Sequence, residues 1–210
     1  MRHDIVEAHA RGMNFDTYRK DLRVHAEIFD SVYRHLEFVL KAEFARAPFG
    51  SSRILVLTED FCIDSVLNLP LIARLAEASP NAHLSIVRRD GHQALALEFP
   101  GRDNVSRVPT VVFISSQGEV QGHWSERSGR DQEWMAALVA RDPIPPITLE
   151  DGHPTPILAD WMKRRFDAQL PFLLSEGWSF VRDELSAIAR SGMQALKSRE
   201  KDRVAKTSHG

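Results

Sequence analysis

Cys62-Ile63-Asp64-Ser65 is the stretch of this chain whose residue types suit covalent chemistry, and Cys62 is the only cysteine. It follows the apolar run RILVLT (53–58) and opens CIDSVLNLPLIARLAEA (62–78), which reads as a helix. A thiol at a helix start sits near backbone N–H groups carrying roughly half a positive charge. That favours the thiolate, the form that attacks disulfides. Ser65, three residues on, can donate an O–H to it. Asp64, with Glu59 and Asp60 just upstream, works the other way, because nearby negative charge raises a thiol pKa. The expected sum is a thiol pKa modestly below its ordinary value. The candidate catalytic set is Cys62, Ser65 and Asp64.

A single thiol limits how an attack can end. With no second cysteine, the product is a mixed disulfide that a small thiol such as glutathione must release. This permits monothiol exchange with protein or glutathione thiols, glutathione acting as a co-substrate and no cofactor being bound. Peroxide oxidation to a sulfenic acid would instead make Cys62 a sensor. The opposing reading is a small buried hydrophobe in a non-catalytic binding module, since free cysteine is among the most buried residue types. An exposed, acidic thiol would point to the first reading and a buried one to the second.

The elements that must position these residues alternate. RILVLT (53–58), AHLSIVRR (82–89), VPTVVFIS (108–115) and EVQGHW (119–124) read as strands. Helices are expected at 62–78, 91–99 and 130–140, and SQG (116–118) supplies a hairpin turn. This order implies a mixed sheet covered by helices. Residues 14–42 read as one helix, with Asn14 as N-cap and an apolar stripe of Leu22, Ile28, Phe29, Val32, Leu36 and Val39. APFGSSR (47–53) reads as a loop.

Several of these features, in this order, resemble the thioredoxin superfamily. A strand runs into an aromatic, Phe61, followed by Cys62 at a helix start. Pro70 lies eight residues on, where thioredoxins place a helix-kinking proline. VPT (108–110) resembles the family's cis-proline signature, and SQGEVQGHW (116–124) its final hairpin. The resemblance covers 48–141, and TEDFCIDSVLNLP looks like a bacterial subgroup with an N-terminal helical extension. It implies that Phe61, Val108, Pro109 and Thr110 face a substrate, Val108 offering backbone hydrogen bonds to an extended strand. Two departures stand out. The family motif is Cys-x-x-Cys, whereas Ser65 here makes it CxxS. The family's buried Asp six residues before the first cysteine is Val56 here. Both losses argue against dithiol turnover.

The expected organisation is an N-terminal helical extension (1–47), a thioredoxin-like α/β domain (48–141), a linker with five prolines (142–156), a C-terminal helical extension (157–200) and a frayed tail (201–210). Pro171 and Gly177 are expected to interrupt the C-terminal helices. The apolar residues there, Trp161, Phe166, Leu170, Phe172, Leu173, Leu174, Trp178 and Phe180, suit packing on the core, with a dimer interface or partner groove as the alternative. The basic run MKRRF (162–166) reads as an exposed face.

Other function classes find little support. The net charge of −2 gives no electrostatic case for nucleic acid or membrane binding. No apolar run reaches the ~20 residues that span a bilayer, and the N-terminus lacks the apolar core of a signal peptide. One cysteine rules out an intramolecular disulfide and suits a reducing cytoplasm. The nine histidines show no metal-ligand spacing, and no Gly-rich phosphate loop is present.

Overall fold

The computed structural model describes residues 2–40, 49, 52–79, 81–150 and 153–207. Most of the loop expected over 47–53 and the boundary placed at 47/48 lie outside the described residues. The centre is a four-stranded mixed sheet in the order β2-β1-β3-β4. β1 (Arg53–Thr58) pairs parallel with β2 (His83–Arg88) and antiparallel with β3 (Thr110–Ile114), which pairs antiparallel with β4 (Val120–Ser125). The β1–β2 crossover is α4 (Ile63–Glu77), and Pro70 lies inside that helix.

Period-two alternation along the strands builds two cores. Ile54, Val56, Ile86, Val111, Phe113 and Trp124 face one side, against α3 (Ala26–Leu40), α4 and α8 (Trp178–Thr207). Leu55, Leu57, Val87, Val112 and Ile114 face the other, under α1 (Arg2–Arg11) and α5 (Gln93–Leu97). α6 (Gly129–Arg141) opens with a capping box of Ser128 and Asp131. Val56, at the position of the family's buried Asp, is fully buried among hydrocarbon side chains.

The helix expected over 14–42 is two: α2 (Phe15–Lys20) and α3. Asn14 caps α2, its side chain accepting from the Thr17 N–H at 2.8 Å. The break has a tertiary cause. The Arg23 N–H, which an unbroken helix would give to the Arg19 carbonyl, goes to Asp60, and His25 takes a left-handed φ of 61°. Phe29, Val32 and Leu36 are buried as the stripe requires, with Leu22 and Ile28 packed beside them. The side chain of Val39 lies outside the described residues.

Beyond α6 the proline-rich segment carries a short hairpin, β5 (Leu149–Glu150) and β6 (His153–Pro154), and leads into α7 (Pro156–Phe172). The interruption expected at Pro171 and Gly177 is a π-helical turn, Leu173–Gly177. The C-terminal helices pack on the core through Leu173, Val181, Leu185 and Ala189. α8 approaches β4 so closely that a Cβ on Gly192 would lie 2.6 Å from the Gln121 carbonyl oxygen. α8 runs to Thr207, through most of the stretch expected to fray.

Candidate functional site

The turn between β1 and α4 carries Glu59, Asp60, Phe61 and Cys62. Cys62 is the N-cap residue of α4, in extended conformation, and its side chain makes no capping bond. Its Sγ lies 3.3 Å from the Val108 carbonyl oxygen, to which only the protonated thiol can donate. The Val108–Pro109 peptide bond is cis. The Pro109 carbonyl accepts the Glu126 N–H at 2.7 Å, which joins this loop to the β4–α6 turn.

Of the expected substrate-facing residues, Phe61 is 54% exposed, while Val108, Pro109 and Thr110 are buried. The Thr110 hydroxyl is committed to the Arg107 carbonyl at 2.7 Å and faces Ser125 Oγ at 3.1 Å. Of these four, the exposed side chain is therefore that of Phe61, next to Cys62 in the chain.

Cys62 is half-buried and unpaired. Burial pushes its thiol pKa up, and Asp64 adds to the rise. The Ser65 N–H and hydroxyl and the Arg165 guanidinium act in the opposite direction and are outweighed. This overturns the expected modest depression: the helix N-terminus does not compensate for desolvation and a neighbouring carboxylate.

Asp64 is 2% exposed. Its carboxylate accepts from Arg127 Nη2 at 2.6 Å and Nε at 3.3 Å, Arg165 Nη2 at 2.6 Å and Gln169 Nε2 at 3.3 Å. Burial alone would raise its pKa, but Arg165 and Arg127 hold it below the ordinary carboxylate value. Asp60, two residues on the other side of Cys62, is 5% exposed. It accepts from the Tyr18 hydroxyl at 3.2 Å, from the Arg23 N–H at 3.3 Å and from Arg88 Nη2 at 2.9 Å. Glu59, also buried, takes the Asp90 N–H at 2.8 Å. Its pKa is raised, chiefly by burial.

The arginines that neutralise these aspartates are not evident from the sequence. MKRRF reads as an exposed face, and Lys163 and Arg164 are indeed exposed, but Arg165 turns inward. Leu158, Trp161, Arg165 and Gln169 recur at steps of three and four on one side of α7. That period is the available signal. Among the described residues no group of three or more His, Cys, Asp or Glu side chains is arranged to hold a metal ion. No described helix is long and apolar enough to cross a membrane.

No curated protein matches the chain. Two solved structures share its fold: a protein of unknown function from Pseudomonas aeruginosa, 19% identical, and an HIV epitope scaffold, 20% identical. Each aligns over 88% of this chain and 96% of its own length, with a TM-score of 0.53. A family model described as thioredoxin matches residues 12–140, from the end of α1 through α6, and leaves α7 and α8 outside. On that match, over more than half its length, the chain belongs to the thioredoxin family.

Proposed function

We propose that this chain is a thioredoxin-fold module that binds an extended protein segment beside Phe61 and the cis-proline loop and does not turn over disulfides. The observation that carries this reading is the state of the thiol. Cys62 faces the Val108 carbonyl as a hydrogen-bond donor, and both burial and Asp64 oppose its ionisation. Disulfide exchange needs the thiolate. With no second cysteine, any attack also ends in a mixed disulfide. Phe61, a large exposed apolar ring adjacent to Cys62 in the chain, supplies contact area without chemistry. A reducing cytoplasm suits a chain with one thiol.

The second reading, monothiol exchange, draws on Ser65 and Arg165, which both favour the thiolate. The Cys62 thiolate would attack a glutathionylated protein, forming a Cys62–glutathione disulfide and expelling the protein thiolate. A second glutathione thiolate would then release Cys62 and leave as oxidised glutathione. Peroxide sensing needs the same thiolate.

The rate of Cys62 alkylation against pH, with Cys62→Ser as the blank, separates the two. Slow labelling with a midpoint above the ordinary ~8.5 supports the binding module. A midpoint clearly below that value, with fast labelling, overturns it in favour of exchange.

A further inference from the structure

The Asp64 centre joins three parts of the chain: the first turn of α4, the β4–α6 turn and α7. Arg127 and Arg165 are the two guanidinium groups that meet the Asp64 carboxylate. Asp64, Glu126 and Asp131 are the carboxylates coupled to them, and Arg107 lies further out, 4.0 Å from Glu126. Arg127 carries a second bond to Glu126 at 2.6 Å and another to Gln132 at 3.1 Å. Its charge is therefore shared. The pairing of Arg165 runs to Asp64, and its buried Nε–H has no hydrogen-bond partner among the described residues. Trp161 Nε1, donating to the Asp142 carbonyl at 2.9 Å, and buried Leu158 hold α7 at this distance.

We propose that Arg165 is a positioning residue for the Cys62 site, so that the C-terminal extension, outside the family-matched span, completes a working face that the thioredoxin domain alone leaves short of a cation. Arg165 acts through Asp64. It fixes the first turn of α4, and with it Cys62 and Phe61, against the cis-proline loop. It also balances a carboxylate two residues from the sulfur. The inference rests on the reading of this face as the functional one.

The test is the pH profile of Cys62 alkylation in the full chain. Arg165→Gln removes one of the two cations that meet the Asp64 carboxylate. The midpoint moves up, and labelling below it slows by up to about tenfold, the low end of the range for loss of a nearby opposite charge, because Arg165 acts on the sulfur across Asp64. Arg165→Lys keeps the charge and labels within about twofold of wild type. Should Arg165→Gln fold poorly, the double variant Asp64→Asn/Arg165→Gln removes both charges and, because Asp64 opposes the thiolate more than Arg165 favours it, is expected to label no slower than wild type. An Arg165→Gln profile that overlays wild type, a Lys variant displaced as far as the Gln variant, or a double variant displaced as far as Arg165→Gln alone would overturn the proposal. Because the comparison is between variants, it is independent of where the wild-type midpoint falls, which decides the binding reading instead.

Discussion

Two buried aspartates stand two residues either side of Cys62, and they are neutralised differently. Asp60 is held by the N-terminal side of the molecule: the Tyr18 hydroxyl, the Arg23 N–H and Arg88. Arg88 is shared with Asp21, which is more than half exposed, so that ion pair borders solvent. Asp64 is held by the C-terminal side, through Arg127, Arg165 and Gln169, in a dry centre. Asp64 also weighs directly on the thiol. The difference divides the labour. The Asp60 clamp ties down the approach to the thiol, and the Asp64 clamp sets both position and charge at it.

The largest expected effect breaks the two clamps unequally. Asp64→Ala strands the inward-turned Arg165 guanidinium and leaves Arg127 to Glu126 and Gln132 alone, so it should destabilise the fold by about 3–5 kcal/mol, the usual range for breaking a buried pair. Asp60→Ala leaves Arg88 with Asp21 and removes hydrogen bonds at a wetter site, so a loss of about 1–3 kcal/mol is expected. Denaturant unfolding of both variants measures the difference. Equal losses would mean that the dryness of the Asp64 centre does not matter.

The sheet was legible because its strands alternate and its turns are marked. Ile54 and Val56 fall on one face and Leu55 and Leu57 on the other, as period two requires. The sequence also placed Cys62, Ser65 and Asp64 at the start of one helix, because 62–78 is a long apolar run after a strand. The clamps were not legible. Tyr18 and Asp60 are 42 residues apart, and Arg165 and Asp64 are 101 apart. Nothing local distinguishes Arg165 from the exposed Arg164 beside it except the helical period of its neighbours. The α2–α3 break was hidden for the same reason, since a distant carboxylate takes the N–H that would have continued the helix. The direction of the thiol shift required the burial of Cys62, which composition does not encode.

Acid acts with opposite sign on Asp64 and on Glu59. Asp64 has a lowered folded pKa, so its contribution is present above the unfolded value of about 3.9 and is lost as pH falls through the lower folded value. Glu59, beside Asp60, has a raised folded pKa. Its ionised form is the disfavoured one in the folded state. Acidification through that raised pKa, down towards the unfolded value of about 4.3, therefore adds stability. Glu59→Gln should flatten the gain between neutral pH and about pH 4. Asp64→Asn should flatten the loss below about pH 4. Stability measured against pH for both variants and wild type checks the pair, and a Glu59→Gln curve parallel to wild type above pH 4 would contradict it.

The smallest effect probes how the N-terminal clamp is delivered. Tyr18 reaches Asp60 from α2, a helix of six residues that cannot persist without help from its ends and its packing. Asn14 provides that help at one end by accepting the Thr17 N–H. Asn14→Ala should therefore cost about 1 kcal/mol, as for other N-cap deletions. The loss should show as faster hydrogen exchange in α2, because one end of a short helix is freed while its buried Phe15 and Tyr18 still hold it in place. The Cys62 alkylation midpoint should not move. Asn14 carries no charge, and the groups that bear on the thiol lie on α4 and α7. A shifted midpoint in Asn14→Ala would mean that the Asp60 clamp also sets the ionisation of the thiol, and the division between the two aspartates would fail.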